Sequence, residues 1–430
     1  AARTRTLPPP PGGGGGGGDL GGIFGIGSIT GGVVGRGGRY KKKRSLVRGG
    51  GPRFVLRFDW TDVPPQTPLG RKIAASQRVK NCDAALKSSS SSGSGKVKFK
   101  SHRLHSFGLG SSLHIYSQAL CHAYDNGMVL INDPMEERWV WNEKERCRHV
   151  TNSPVASPLQ CYFGAHESAS SCGYDRSTLP FSARSDDHLS DLGSCDAWPN
   201  YPELQSFQKR GGIDGESSAD DDPALVQLRE FRAASMEYLF SSVRPAVINE
   251  AERQARDIFG ESGIPDDLIT VHIRWGDKRK EMDLIPIETY IEATKQMAAS
   301  GDGAANADAD ADGDGDGDGD ANGTVHVYLS TEDPRAIEQF RARSPPHWRV
   351  YSSGPTNDPN EDVMMVNARK SEGRAGLQSL GALLISLEAD RYVLTGGSNW
   401  SRLIDELRKN VVDPRCGGCT SAIDLAPYEW

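Results

Sequence analysis

"LITVHIRWGDKRKE" (268–281) is an apolar run that ends in a cluster of charge. Arg274, Asp277, Lys278, Arg279, Lys280 and Glu281 are charged there, and His272 can become so. "LITVHI" reads as a buried strand, on which His272 and Arg274 alternate with core residues. A buried Arg without a partner is costly, so a carboxylate or an anionic ligand should meet it. Two readings stand. The cluster is a solvated turn, or it holds an anion. The Arg fork matches phosphate oxygens, and Lys278 adds a point charge nearby.

The flanking segments set that strand in an alternating pattern. Upstream, "PALVQLREFRAASMEYLFSSVR" (223–244) and "PAVINEAERQARDIFG" (245–260) read as two helices, each opened by Pro, the second closed by Gly260. Downstream come helix "PIETYIEATKQMAAS", strand "TVHVYLST", helix "PRAIEQFRAR" and strand "WRVYSS". Helix "LQSLGALLISLEA", strand "RYVLTG" and helix "NWSRLIDELRKN" complete the series. Strands alternating with helices predict a doubly wound parallel sheet. Right-handed crossovers bring the strand-to-helix loops to one edge, where ligands bind outside the carboxyl ends of the strands. Three polar loops share that edge: "RWGDKRKEMD", "STEDP" and "TGGSNWS".

Each of the other two loops has a plain structural reading beside a functional one. In "STEDP", Glu332 and Asp333 can accept hydrogen bonds from sugar hydroxyls, or the loop is a helix N-terminus capped by Thr331. In "TGGSNWS", two Gly allow a close backbone approach and Ser398 reads as the N-cap of a helix whose N-terminus favours an anion.

The N-terminal half is less regular. Residues 1–52 hold a Pro run, a Gly run and "RYKKKRSLVR", a composition that cannot bury enough apolar surface to fold. "PRFVLRFDW" reads as one isolated strand, and "KSSSSSGSGK" (87–96) as a linker or loop. Regular structure is expected from about residue 108. There "GLGSSLHIYSQALCHAYDNG" forms a Gly-rich turn and a helix, with no clear strand before it, and "MVLIND" follows as a buried strand. Residues 150–222, rich in Ser, Asp, Cys and Pro, read as loops held by disulfides.

Composition narrows the classes of function. The formal charge is −7, but the tract 301–323 carries eight Asp, and without them the balance is +1, so nucleic acid is not an expected partner. That tract imitates the front of a calcium loop at Asp308, Asp310, Asp312 and Gly313, yet has Gly319 where the closing Glu belongs, so it reads as acidic filler. Five of eight Cys lie between 121 and 195, and no CxxC pair has a second pair at zinc-site spacing. The even count suits disulfides in an oxidising compartment, although a cytosolic protein could hold eight thiols. Sequons at Asn322 and Asn399 lean towards the former. The apolar stretch "GGIFGIGSITGGVVG" falls short of the roughly 20 residues of a bilayer span. With Ala1 in first place, the true N-terminus and any anchor are expected outside this chain.

Together these stretches resemble one family, the α1,6-fucosyltransferases and their bacterial nodulation relatives. "YLFSSVRPAVINEAERQARDIFG…LITVHIRWGDKRKE…PIETYI" is similar to the family's helix pair, its strand ending in His-Val-Arg-Arg-x-Asp-Lys with a Glu shortly after, and its Pro-Ile-Glu-x-Tyr. "VHVYLSTEDP" looks like the second motif and "ADRYVLTGGSNWSRLIDEL" the third. "KNC" (80–82) with the Gly-rich helix after 108 looks like the entry to the first domain. The resemblance covers roughly residues 75–430 and is strongest after 236. Trp275 stands where the family has its second Arg, the Lys-to-Glu spacing is one residue shorter, and the Asp expected before the last motif falls near Ala382. The SH3-like module of animal members and the coiled-coil stem are not visible.

The resemblance implies a GT-B-like α/β architecture. A C-terminal, Rossmann-like doubly wound sheet over 223–430, interrupted by the insertion 301–323, would pack against a smaller Cys-rich α/β subdomain over 74–222. Residues 1–73 would be a largely disordered stem. It also implies an inverting transfer of fucose from GDP-β-L-fucose to a glycan or glycoprotein, with no metal. In that scheme Arg274 stabilises the departing diphosphate and Lys278 assists it or orients the base. Glu281 is the general base, with Asp283 second. His272, Trp275, Asp277, Tyr290 and Gly110 line the donor pocket, Glu332 and Asp333 hold sugar or acceptor hydroxyls, and Ser398 contacts phosphate. A Golgi location, with membrane contact only through an anchor outside this chain, follows from the same resemblance. The alternatives are a protein O-fucosyltransferase, a non-catalytic relative that binds a sugar nucleotide or glycan, and a secreted disulfide-bonded structural protein.

Overall fold

A computed structural model describes residues 56–78, 98–102, 104, 107–132, 139–151, 156–164, 223–276, 284–302, 324–353 and 364–426. Asp277, Lys278, Glu281 and Asp283 lie outside the described residues, as does the insertion after residue 302.

The strand that ends in the charge cluster is the centre of a five-stranded sheet. Strand β3 (Ile269–His272) pairs in parallel with β4 (Val325–Ser330) and β6 (Arg391–Leu394). Strands β5 (Trp348–Ser352) and β7 (Ser421–Asp424) close the two edges, also in parallel, giving the order β5-β4-β3-β6-β7. A central parallel strand is buried on both faces, which is why its sequence is nearly continuous in apolar residues. Its side chains alternate between two cores. Ile269, Val271 and Ile273 pack on one face with Tyr290 and Ile291 of helix α5 (Ile287–Asp302) and with Ile337 and Phe340 of α6 (Pro334–Arg343). Thr270 points to the other face and donates to the Ser386 carbonyl, 2.9 Å away. There the two helices α4 (Pro245–Phe259) and α8 (Arg374–Ser386) pack together. Gly381 makes that contact close, since a Cβ on it would sit 3.2 Å from the Ala251 nitrogen.

Strand order carries the functional consequence. From β3 the chain steps outward through β4 to β5, and then returns past β3 to β6 and β7. The direction of winding reverses between β3 and β6, so their carboxyl ends diverge and open a crevice.

The N-terminal part holds a second, two-stranded parallel sheet, β1 (Lys98–His102) with β2 (Met128–Asn132), joined by helix α2 (Leu109–Asp125). The Gly-rich stretch at 108 therefore does follow a strand, contrary to expectation. Regular structure also begins earlier than expected, at helix α1 (Pro68–Ser76), within the segment read as stem. Thr67 caps this helix by accepting from Gly70 N at 3.0 Å, and the buried Glu237 carboxylate accepts from Thr67 N at 3.1 Å. Trp60, in the stretch expected to be an isolated strand, is completely buried, and the described residues 56–63 form no strand. Arg57 ties this segment to the turn before β6, with its Nη1 2.7 Å from Asp390 Oδ1 and its backbone N 2.7 Å from Glu388 Oε1. Helix α3 (Pro223–Leu239) packs against α1, α2 and α9 (Asn399–Leu407). The described residues, all of them after residue 50, belong to one compact unit.

Every cysteine among the described residues is disulfide-bonded. Cys147 joins Cys161, Cys416 joins Cys419, and Cys121 is bonded as well. No helix among the described residues is long and apolar enough to cross a membrane.

Candidate functional site

Three loops leave the carboxyl ends of β3, β4 and β6 on the same edge of the sheet. The β3 loop carries Arg274. Its Nη1 lies 3.6 Å from Glu332 Oε2, so the basic residue of one strand end faces the acidic residue of the next. Both side chains are partly exposed, Arg274 at 16% and Glu332 at 29%. This is an ion pair at the rim of the crevice rather than a core charge. Trp275 follows a different course. Its indole Nε1 donates to the Ile285 carbonyl at 3.0 Å, and its ring packs at the margin of the core under β3. That bond ties the two ends of the charged loop together. Gly276 has φ +80°, a conformation that a residue with a Cβ adopts only under strain.

His272, the last residue of β3, is buried at the crevice. Burial pushes its pKa down to about 3, with the nearby Arg274 charge adding to the effect. The imidazole is therefore neutral at physiological pH. Its Nδ1 lies 2.6 Å from the hydroxyl of Ser401, and that hydroxyl accepts the backbone N–H of Thr395 at 2.8 Å.

Tyr290 is completely buried against β3. Its hydroxyl receives the backbone N–H of Arg274 and lies 2.7 Å from Thr395 Oγ1, which in turn donates to the His272 carbonyl at 3.3 Å. Burial raises its pKa, and the bonds from Thr395 and Arg274 partly offset that rise. The chain of bonds clamps the backbone from 272 to 274 against the start of the β6 loop.

The β4 loop is divided in function. Asp333, not Thr331, is the N-cap of α6, with Oδ1 accepting from Arg335 N at 2.8 Å. The Arg335 guanidinium closes on the same carboxylate, with Nη2 2.6 Å from Oδ2. Burial pushes its pKa up, but the Arg335 bonds and charge outweigh burial and hold it below the usual range. Asp333 is thereby occupied, and Glu332 remains the carboxylate of this loop that faces Arg274.

In the β6 loop, Ser398 is the N-cap of α9, accepting from Trp400 N at 3.3 Å. The Gly396 N–H donates to Asp424 Oδ1 of β7 at 2.7 Å, so the edge strand braces the Gly pair. The start of α2 closes against the same loop. A Cβ on Gly110 would lie 3.3 Å from both the Asn399 carbonyl carbon and Trp400 N. Two helix N-termini therefore meet at the crevice, and the N-cap of α2, Gly108, supplies no side-chain hydrogen bond. A buried polar cluster holds them together. His114 Nδ1 lies 2.7 Å from Asn399 Oδ1, and His114 Nε2 lies 3.1 Å from Glu406 Oε2. Asn399 Nδ2 donates to Ser111 Oγ at 2.7 Å, and Arg232 pairs with the other oxygen of Glu406. Burial pushes the Glu406 carboxyl up, but Arg232 and His114 override it and leave the pKa at about 2. The Asn399 side chain is thus committed to this cluster in the folded chain.

Among the described residues the arrangement gathers His272, Arg274, Glu332 and Ser398 at one edge of the sheet, with Gly110 against the Asn399–Trp400 peptide and with Tyr290 and Asp333 hydrogen-bonded beside them. Thr395, Ser401, His114 and Asp424 join the arrangement without a role that sequence alone points to. Thr395 and Ser401 stand in the quoted loop, and their spacing across a strand end and a first helical turn was the available signal. The described residues contain one cluster of candidate metal ligands, Asp413 with Cys416 and Cys419, and the two sulfurs are bonded to each other.

No family model and no curated protein matches the chain. Solved structures do. The NodZ α1,6-fucosyltransferase co-crystallised with GDP is 14% identical, with 72% of this chain and 92% of that chain covered and a TM-score of 0.35. The same enzyme soaked with GDP-fucose gives 13% identity, coverage of 73% and 93%, and a TM-score of 0.34. A mutant of Arabidopsis thaliana FUT1 in complex with GDP gives 11% identity, coverage of 80% and 74%, and a TM-score of 0.36. The chain is thus structurally similar, at low sequence identity, to fucosyltransferases of the NodZ and FUT1 type.

Proposed function

We propose that this chain is an inverting glycosyltransferase that moves L-fucose from GDP-β-L-fucose to a glycan or glycoprotein, in the manner of the α1,6-fucosyltransferases. The observation that carries the reading is the convergence of the three motif loops at the one point where the winding of the sheet reverses. Arg274 stands at that point, with two helix N-termini facing the crevice. Such an edge suits a diphosphate: fixed N–H groups and an oriented guanidinium favour negative charge.

The chemistry follows from the residues. The acceptor hydroxyl attacks the anomeric carbon as the bond to the phosphate oxygen breaks through an oxocarbenium-like state. Charge grows on the departing GDP, where Arg274, and Lys278 beyond it, stabilise it. A carboxylate of the same loop takes the hydroxyl proton, Glu281 first and Asp283 second. Glu332 holds Arg274 in orientation and is placed to accept from a sugar hydroxyl. Charge on the leaving group is met by cationic side chains, so the scheme uses no metal. We further propose the division into a Cys-rich acceptor half over 74–222 and a donor half over 223–430, and action in the secretory pathway.

A ligand panel tests this. GDP and GDP-fucose should raise the melting temperature, UDP-sugars should not, and Arg274→Ala should abolish the response. Equal stabilisation by UDP-sugars would remove the donor assignment. Slow release of GDP from GDP-fucose alone would mark working chemistry, and its absence together with tight GDP binding would favour a binding protein.

A further inference from the structure

Ser401 Oγ touches two groups, the Thr395 N–H at 2.8 Å and His272 Nδ1 at 2.6 Å. The first contact fixes the roles in the second. The backbone N–H can only donate, so one lone pair of the hydroxyl is taken. Ser401 is buried, and its hydroxyl has no other acceptor among the described residues. If Nδ1 carried a proton, the hydroxyl would receive two donors and its own hydrogen would be left buried and unpaired, which is unfavourable. If Ser401 donates to Nδ1, every group is satisfied, and the ring proton lies on Nε2. That nitrogen has no hydrogen-bond partner among the described residues. It belongs to the last residue of β3, at the reversal of strand order.

We propose that Ser401 is a positioning residue that holds His272 as the Nε2–H tautomer, so that the crevice carries a fixed, neutral N–H donor for an oxygen of the bound nucleoside diphosphate. The nucleotide half of the proposal rests on the function proposed above; the tautomer does not. The device has a physical rationale. A neutral donor held in one orientation can meet a phosphate or ribose oxygen without the cost of placing a buried cation beside the Arg274 charge. The Tyr290–Thr395–His272 clamp fixes the same strand end from the other face, so both ring and backbone are set before a ligand arrives.

Two measurements test it on the full chain. The first is a long-range ¹⁵N–¹H correlation spectrum of the labelled protein without ligand, with the His272 signals identified by their loss in His272→Gln. An unprotonated Nδ1 and a protonated Nε2 near neutral pH are expected. A proton on Nδ1, or a charged ring, overturns the assignment. The second is GDP binding by calorimetry. Ser401→Ala should weaken binding about tenfold, the worth of one hydrogen bond to a charged oxygen. Ser401→Thr, which keeps the hydroxyl, should restore most of it. Unchanged affinity in Ser401→Ala overturns the donor role. The wild-type spectrum needs no variant at Ser401, so a folding defect in Ser401→Ala leaves the assignment open to refutation. If the wild-type chain binds no GDP, the nucleotide reading falls, and the spectrum still decides the tautomer.

Discussion

Arg274 and Glu332, from the ends of two neighbouring parallel strands, face each other across 3.6 Å. The separation exceeds a hydrogen bond, and both groups touch solvent, so the pair adds little to stability. Its value lies in orientation: a guanidinium held at the crevice meets developing charge without first being rearranged. Glu332→Gln should therefore leave the unfolding free energy within about 0.5 kcal/mol of wild type. Arg274→Ala should lower turnover of GDP-fucose by about 10²–10³ while the protein stays folded. Arg274→Lys should recover little of that loss, because an ammonium lacks the fork. Steady-state kinetics beside a denaturant titration checks all three, and a large stability change in Arg274→Ala would show that the residue is structural.

Gly110 separates packing from ligand binding. It stands in the first turn of α2, where a Cβ would press on the Asn399–Trp400 peptide at 3.3 Å. Alanine is favoured over Gly in a helix by about 1 kcal/mol, which offsets the crowding. Gly110→Ala should keep its melting temperature within a few degrees, yet shift the start of α9 and weaken GDP binding several-fold. Gly110→Leu cannot be relieved by so small a shift and should unfold at clearly lower temperature. Differential scanning calorimetry with and without GDP reads both outcomes.

Much of this architecture was legible from sequence because central parallel strands are buried on both sides. β3, β4 and β6 announce themselves as apolar runs, and their order fixes the edge on which the loops gather. What escaped has physical reasons. β7, "SAID", is a half-exposed edge strand with no apolar run, yet its Asp424 braces Gly396. His114 and Asn399 are 285 residues apart, and no local pattern joins them. Tyr290 shows the limit of periodicity. Spacing places it on the buried side of a helix, but whether its hydroxyl meets a ligand or the back of a strand depends on packing. Helix α1 was missed for a weaker reason, since Thr67 before Pro68 is an N-terminal signature.

The two described disulfides differ in the length of chain they close. Cys147–Cys161 spans 14 residues and Cys416–Cys419 only 3. Chain-entropy arguments give about 3 kcal/mol for the longer loop and about 2 kcal/mol for the shorter. Replacing Cys147 and Cys161 by Ala should therefore lower the denaturant midpoint more than replacing Cys416 and Cys419. Both Cys147 and Cys161 are also buried, so the first pair loses packing too. Comparable midpoints for the two double variants would mean that the Cys-rich part is held together by its core alone.

Acid should unfold the chain in two stages, for opposite kinds of group. His272 has a folded pKa of about 3 against an ordinary 6.5, so between these values the unfolded chain binds the proton and the folded chain does not. Its contribution is complete above pH 6.5 and is lost as pH falls towards 3. Glu406 is held at about 2 against an ordinary 4.5, so its contribution is complete above pH 4.5 and is lost as pH falls towards 2. Stability should therefore decline gently below pH 6.5 and more steeply below 4.5. His272→Gln should flatten the upper stage without abolishing it, because burial also lowers the pKa of His326. Glu406→Gln should cost about 3–5 kcal/mol above pH 4.5, a deficit that shrinks as pH falls towards 2 and so flattens the lower stage, since it removes the carboxylate paired with the buried Arg232. Urea titrations from pH 7 down to 3 measure both slopes, and an unchanged upper stage in His272→Gln would mean that this imidazole is charged in the folded protein.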